Sequence, residues 1–177
     1  MAGTAMSQCR IETDQHAALT FSFVLPRLLG FMLLALLLSG CTSYHDVSRD
    51  PRFGGGYEPG HIYRLSSNGA LYGFNSDEPC KLDLADTRTA AQYSAADLVQ
   101  TLPSGSLFKV ERLVHVAISA PIQGESYVQV FVSVVGNPAS CKEVVLGNSL
   151  SKWTATVAAD GTPTMLPSPN PAYVRLE

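Results

Sequence analysis

The polar and apolar positions of this chain change character three times. An uninterrupted apolar run, Leu28 to Leu38, follows a single cation, Arg27. Spanning a bilayer takes roughly 20 apolar residues, and Arg27 keeps the run from joining the upstream stretch Leu19 to Leu25. The run is too short for a membrane anchor and has the length of the hydrophobic segment of an export signal. Residues 42–60 then lose most of their apolar content and gather Ser43, Ser48, Pro51, Gly54-Gly55-Gly56, Pro59 and Gly60. Such a stretch buries too little surface to offset the entropy of ordering it, so a flexible tether is expected there.

From His61 onward the period is mostly two, which predicts strands. Ile62 to Leu65 and Ala70 to Phe74 flank Ser67-Asn68-Gly69, a hairpin signal because Asn and Gly both tolerate positive φ. Cys80, Leu82 and Leu84 alternate with Lys81 and Asp83. An alanine-rich stretch follows, with Ser94 three residues before Asp97. It predicts a short helix from about Ala95 to Leu102, packed through Tyr93, Leu98 and Leu102 and ended by Pro103-Ser104-Gly105.

Phe108, Val110, Val114, Val116 and Ile118 fall on one face of the next segment. Lys109, Glu111, Leu113 and His115 fall on the other. Arg112 interrupts the apolar face and predicts a bulge. Val128, Val130, Val132 and Val134 alternate with Gln129, Phe131 and Ser133, and β-branched residues suit a half-buried pleat. After the turn Gly136-Asn137-Pro138, further strands are predicted over Lys142 to Leu146 and around Trp153, Ala155 and Val157. Asp160-Gly161 then turns the chain into Thr164 to Leu166. Pro163, Pro167, Pro169 and Pro171 argue against a central strand near the end, where Ala172 to Leu176 reads as an edge strand. The fold class expected is all-β, either a small SH3-like barrel or an open β-sandwich, with one short helix.

Leu38-Ser39-Gly40-Cys41 closes the apolar run and resembles the lipobox of bacterial lipoproteins. The resemblance implies cleavage before Cys41, a diacylglyceryl thioether on its sulfur and an acylated amine. Two or three such chains anchor firmly where one would not, at about 0.8 kcal/mol per buried methylene. It also implies a cell-envelope address, and Thr42 after the cysteine resembles an outer-membrane sorting signal, with the domain facing the periplasm. The stretch before Arg27 carries Glu12 and Asp14 and is poor in cations, which points to translation starting downstream, at Val24. The organisation expected is a signal peptide over 1–40, a tether over 41–60 and one β domain over 61–177. The phrase Gly105-Ser106-Leu107-Phe108-Lys109-Val110, a glycine turn leading into a strand, resembles bacterial SH3-type barrels. That resemblance implies a groove for extended peptides.

Charge adds an exclusion. Removing residues 1–40 takes away Arg10 and Arg27 together with Glu12 and Asp14, so the net charge of −3 is unchanged. No basic patch or basic helix is present, and nucleic acid is excluded as a partner because its binding needs phosphate-neutralising cations. Cys80 and Cys141 are the remaining cysteines of the exported part. In an oxidising compartment they are expected to pair, closing a loop worth roughly 4 kcal/mol in the chain-entropy model. The alternatives are two buried thiols or a metal pair, for which no further ligand has suitable spacing.

Catalytic chemistry finds little to stand on. His45 lies in the tether, His61 starts a strand, and His115 is alone inside a strong strand, where a cross-strand structural role is the ordinary one. No serine has a nucleophile-elbow context, and Cys80 and Cys141 lack redox spacing. Asp77, Glu78, Asp83 and Asp86 lack the one-three-five spacing and central glycine of a calcium loop. No catalytic residue, metal ligand or cofactor is assigned. The aromatic residues are the better clue. Tyr127 and Phe131 share the face opposite the valine stripe, which is either the covered side of a sandwich or a partner-binding surface. The function expected is a non-enzymatic envelope lipoprotein that binds a protein or cell-wall partner. An envelope-polymer enzyme using His115, or a small-ligand carrier, is the alternative.

Overall fold

A computed structural model describes residues 41–177 apart from 54–55, 75–77, 94–95, 120–123, 137–140, 142 and 158–160. Residues 1–40, including Leu38-Ser39-Gly40 and Val24, lie outside the described residues, as do Ser94, Asp77 and Asp160.

The described residues form one sheet of eleven strands: β1 (Cys41–Asp46), β2 (Ile62–Leu65), β3 (Gly69–Gly73), β4 (Cys80–Leu84), β5 (Asp97–Leu102), β6 (Leu107–Ser119), β7 (Glu125–Val134), β8 (Val144–Leu146), β9 (Ser151–Val157), β10 (Pro163–Pro169) and β11 (Val174–Leu176). A short helix, α1, covers Thr87–Gln92. The main path runs β11-β2-β6-β7-β8-β4-β3-β5. No pairing joins β5 back to β11, so the barrel stays open. Its inner face still wraps one core: Leu65, Leu71, Leu82, Leu102, Phe108, Val130, Leu146 and Val174, from eight different strands, share a single apolar cluster. A second group of strands departs from this path. β1 pairs with the far half of β6, while β10 pairs with β7 and carries β9. Together they make an arm, β1-β6-β7-β10-β9, that runs past the core.

The all-β class and the single short helix expected from the sequence are both present, but the helix is elsewhere. Asp97 to Leu102 is β5, an edge strand registered against β3, and α1 lies earlier, over Ala90 and Ala91. Val99 and Thr101 are β-branched, and the open edge of β3 supplies the backbone partners that decide the matter. Leu98, expected to pack, is exposed, whereas Tyr93 and Leu102 are buried.

Four further expectations need correction. Asn68-Gly69 makes no hairpin: β2 pairs with β6 and β11, and β3 with β4 and β5. Asn68 instead ties two other segments together, its Oδ1 accepting from the Ser104 N–H at 2.9 Å and its carbonyl from the Ala85 N–H at 3.0 Å. Gly69 is needed for close approach, since a Cβ there would meet Leu65 Cδ1 at 2.7 Å. Next, the prolines near the end sit inside β10, which pairs on both sides. Pro163, Pro167 and Pro169 are two or four residues apart, so their missing donors all fall on one edge of the strand, and the contact with β7 is a single registered pair, Met165 with Tyr127. The hairpin expected around Asp160-Gly161 does form, between β9 and β10, with Gly161 at φ 84°.

The third correction concerns the tether. The 41–60 stretch supplies β1, a 3-10 turn over Pro51–Phe53 and two core residues, Val47 and Tyr57. Its few apolar side chains are the ones that find sockets. Tyr57 is fully buried, packs on Tyr63 and donates its hydroxyl hydrogen to the Leu150 carbonyl at 2.8 Å. β1 needs little apolar content because the open edge of β6 satisfies its backbone.

The bulge predicted at Arg112 is present as a register shift between Val110 and Arg112. It also reverses the expected faces. One extra residue turns every later side chain over. Beyond it Leu113 joins the core with Val110, while Val114 and Val116 are buried on the outer face.

Candidate functional site

The outer face of β7 carries Tyr127, Gln129 and Phe131 in alternation, because the valines between them fill the core. Beside it β10 and β9 rise as a hairpin, and β8 and β4 continue the sheet. Between them lies a cleft of about 300 Å³, walled by Tyr93, Tyr127, Gln129, Trp153, Met165 and Pro167, with Lys81 as its cation. Aromatic rings with a few convergent polar groups are the usual lining of a recognition site.

Tyr127 lines this cleft. Burial pushes its phenol up, and the phenol of Tyr44 adds to the shift. Phe131, two positions beyond Gln129, is not part of the cleft wall. The Arg112 guanidinium lies 3.8 Å from its ring centroid and donates to Glu143 Oε1 at 2.6 Å. The two aromatics share a face, as the alternation predicts, and serve different ends. Nothing in the local pattern of residues joins Tyr127 to Trp153, since only the parallel contact of β10 with β7 brings β9 near.

Tyr93 forms a partition. The cleft lies on one side of it, and on the other lies a hollow of about 340 Å³ walled by Ala70, Tyr72, Ala90 and Leu98. The ring is held from behind: its hydroxyl donates to Oδ2 of Asp83 at 2.8 Å, and Asp83 Oδ1 accepts from the Leu84 N–H at 2.8 Å. Asp83 is completely buried. Burial, and then the charge of Asp83, push the Tyr93 phenol well above its ordinary range. Gly147 closes the floor, and a Cβ there would overlap the Asp83 carboxylate.

His115 sits on the inner face of the arm against Phe53, with ring centroids 5.1 Å apart. Its Nε2 contacts Ser126 Oγ, which lies 3.0 Å from Thr164 Oγ1. Both hydroxyl residues are buried and lie outside the cleft, so this trio ties β6, β7 and β10 together. His45 is the registered neighbour of His115 across β1 and β6. His61 Nδ1 lies 3.2 Å from the Glu58 carboxylate.

Cys80 and Cys141 form a disulfide with Cα atoms 5.9 Å apart. It fastens the start of β4 to the segment entering β8. Cys41 is exposed at the first position of β1. Among the described residues no group of three or more His, Cys, Asp or Glu could hold a metal ion, and no helix is long and apolar enough to cross a membrane. No protein-family profile, characterised protein or solved structure matches this chain.

Proposed function

We propose that this chain is a lipid-anchored protein of the bacterial cell envelope that binds a protein partner through the cleft between β7 and the β9-β10 hairpin, without catalysing a reaction on it. The observation that carries the proposal is the convergence of Tyr93, Tyr127 and Trp153 on one concavity, from three separate parts of the chain. Rings of this kind supply large contact area at little entropic cost and dominate binding energy where they cluster. The outer edge of β9, from Ser151 to Val157, pairs with no other strand among the described residues and contains no proline, so an extended segment has backbone partners beside the cleft. The lipobox-like sequence before Cys41 supports the anchor and the address.

The burial of Ser126 and Thr164 favours binding over hydrolysis, because a nucleophile inside the sheet meets no polymer. The experiment is a photo-cross-linking residue at Gln129, in the native membrane, followed by mass spectrometry. Cross-links to one envelope protein support the proposal. Cross-links to cell-wall fragments would assign the wall instead, and a protein that stays alone at native expression overturns it.

A further inference from the structure

We propose that two copies of this chain pair through the free edge of β1, antiparallel and about a two-fold axis at Tyr44, so that their arms join into one continuous sheet. The edge is singled out by what it lacks. β1 pairs with β6 along one side and with no other strand among the described residues along the other. Its six residues run in unbroken register and include no proline, glycine, lysine or bulge. Folded proteins usually blunt or cover such an edge. Elsewhere β5 is bulged against β3, β11 has three residues, and the edge of β9 is assigned above to the extended segment beside the cleft.

The ladder with β6 fixes which backbone groups point outward. The Val47 N–H donates to the Leu113 carbonyl at 2.9 Å, one step beyond the registered pair of Asp46 with Val114. Hydrogen-bonded and non-hydrogen-bonded pairs alternate along antiparallel strands. His45, Ser43 and Cys41 therefore bond to β6, and Thr42, Tyr44 and Asp46 turn their N–H and C=O groups to the free side. A second copy presents the same three residues. With Tyr44 facing Tyr44, Thr42 of each copy faces Asp46 of the other, and every outward N–H finds a carbonyl.

The side chains agree with this register. Residues directly opposite share a face. Tyr44, 63% exposed, meets the same ring of the second copy. The Thr42 hydroxyl meets the Asp46 carboxylate, which already accepts from the Ser48 N–H at 2.9 Å and has acceptor sites to spare. On the other face Ser43 meets His45. No like charges are opposed, whereas an axis two residues further on would set Asp46 against Asp46. The pairing does not require the lipid anchor. On the lipid-anchored reading the two Cys41 residues sit about 20 Å apart at the ends of the paired strands, and confinement to one surface raises their local concentration.

Disulfide formation in intact cells treated with copper-phenanthroline tests this, with the linked peptides read by mass spectrometry. A disulfide needs Cα atoms about 4.4–6.8 Å apart, and a hydrogen-bonded pair provides about 5.5 Å. Tyr44→Cys is expected to cross-link to itself. Thr42→Cys, whose two copies lie about 13 Å apart along the strands, is expected to do so roughly tenfold less and to recover when co-expressed with Asp46→Cys. Thr42→Pro removes only an outward N–H and leaves β1 on β6. It is expected to abolish the Tyr44→Cys product with protease resistance unchanged. Equal cross-linking from Thr42→Cys and Tyr44→Cys, a product that survives Thr42→Pro, linkage to a different protein, or no linkage overturns the proposal. The mass of the Cys41 peptide is read in the same digest. An unacylated peptide overturns the lipid-anchored reading alone, and the cross-links still decide the pairing.

Discussion

The Tyr93 hydroxyl donates to Oδ2 of the fully buried Asp83 at 2.8 Å. The bond joins the end of α1 to β4 and fixes the ring that separates the cleft from the hollow under the helix. Tyr93→Phe leaves Asp83 with an unmatched acceptor and is expected to cost about 1–3 kcal/mol in urea unfolding. It also loosens the cleft wall. The Asp83→Asn variant, which keeps a polar group of the same shape, is expected to lose less than Asp83→Leu, which strands the phenol.

The same phenols set an alkaline limit. Burial pushes Tyr57 and Tyr93 upward, with the Asp83 charge adding to both. The folded state therefore holds these protons at pH values where the unfolded chain, with tyrosines near about 10, releases them. The stability they contribute is intact below that value and is lost as pH rises toward the folded pKa. Unfolding followed by circular dichroism is expected to coincide with phenolate absorbance. A Tyr57→Phe, Tyr93→Phe double variant should unfold less steeply with alkali.

Tyr57 makes the 41–60 stretch part of the fold. Truncation to residue 61 removes β1, Val47 and Tyr57 and is expected to yield a domain that is rapidly degraded by protease. Tyr57→Ala alone should cost about 3–5 kcal/mol, in the range for a large buried ring. Gly56 next to it has its Cα against the Pro167 carbonyl, and a Cβ would overlap that oxygen, so Gly56→Ala is expected to destabilise by about 2 kcal/mol or more. If the truncated chain proves as protease-resistant as the longer one, the stretch is a spacer after all.

Reduction of the Cys80–Cys141 disulfide opens a loop of 61 residues. The chain-entropy model puts its contribution near about 4 kcal/mol. Cys80→Ala with Cys141→Ala is expected to lower the stability accordingly and to steepen the urea transition, because the unfolded chain without the cross-link expands and exposes more surface.

Trp153 and Phe131 should separate in binding. Trp153→Ala, in the cleft wall, is expected to abolish cross-linking from Gln129. Phe131→Ala removes a ring already covered by Arg112 and should leave it within about twofold, since hot spots are few and central. Equal losses from both substitutions would place the interface on the whole outer face of β7.

Much of the strand content was legible because a pleat writes itself into the sequence as alternation. The valines of β7, the bulge at Arg112 and the β9-β10 turn at Gly161 all follow from local chemistry. The pairing of Cys80 with Cys141 was legible as an expectation, since these are the two cysteines that follow Cys41. What failed was everything that depends on which edge is open. Asp97 to Leu102 became a strand because β3 had an edge to offer, and residues 41–46 became one because β6 did. The faces beyond Arg112 reversed because an extra residue inverts the pleat.

The sequence by itself determined the all-β class, the expectation that Cys80 pairs with Cys141 and the apolar run that precedes Cys41. Each is a property of local periodicity, of residue count or of a short motif. The tertiary structure alone decided that Tyr93, Tyr127 and Trp153 meet, and that Cys41 begins a strand instead of a tether. Those outcomes turn on long-range backbone pairing, whose partners lie tens of residues apart and leave no mark on the local pattern of polar and apolar positions.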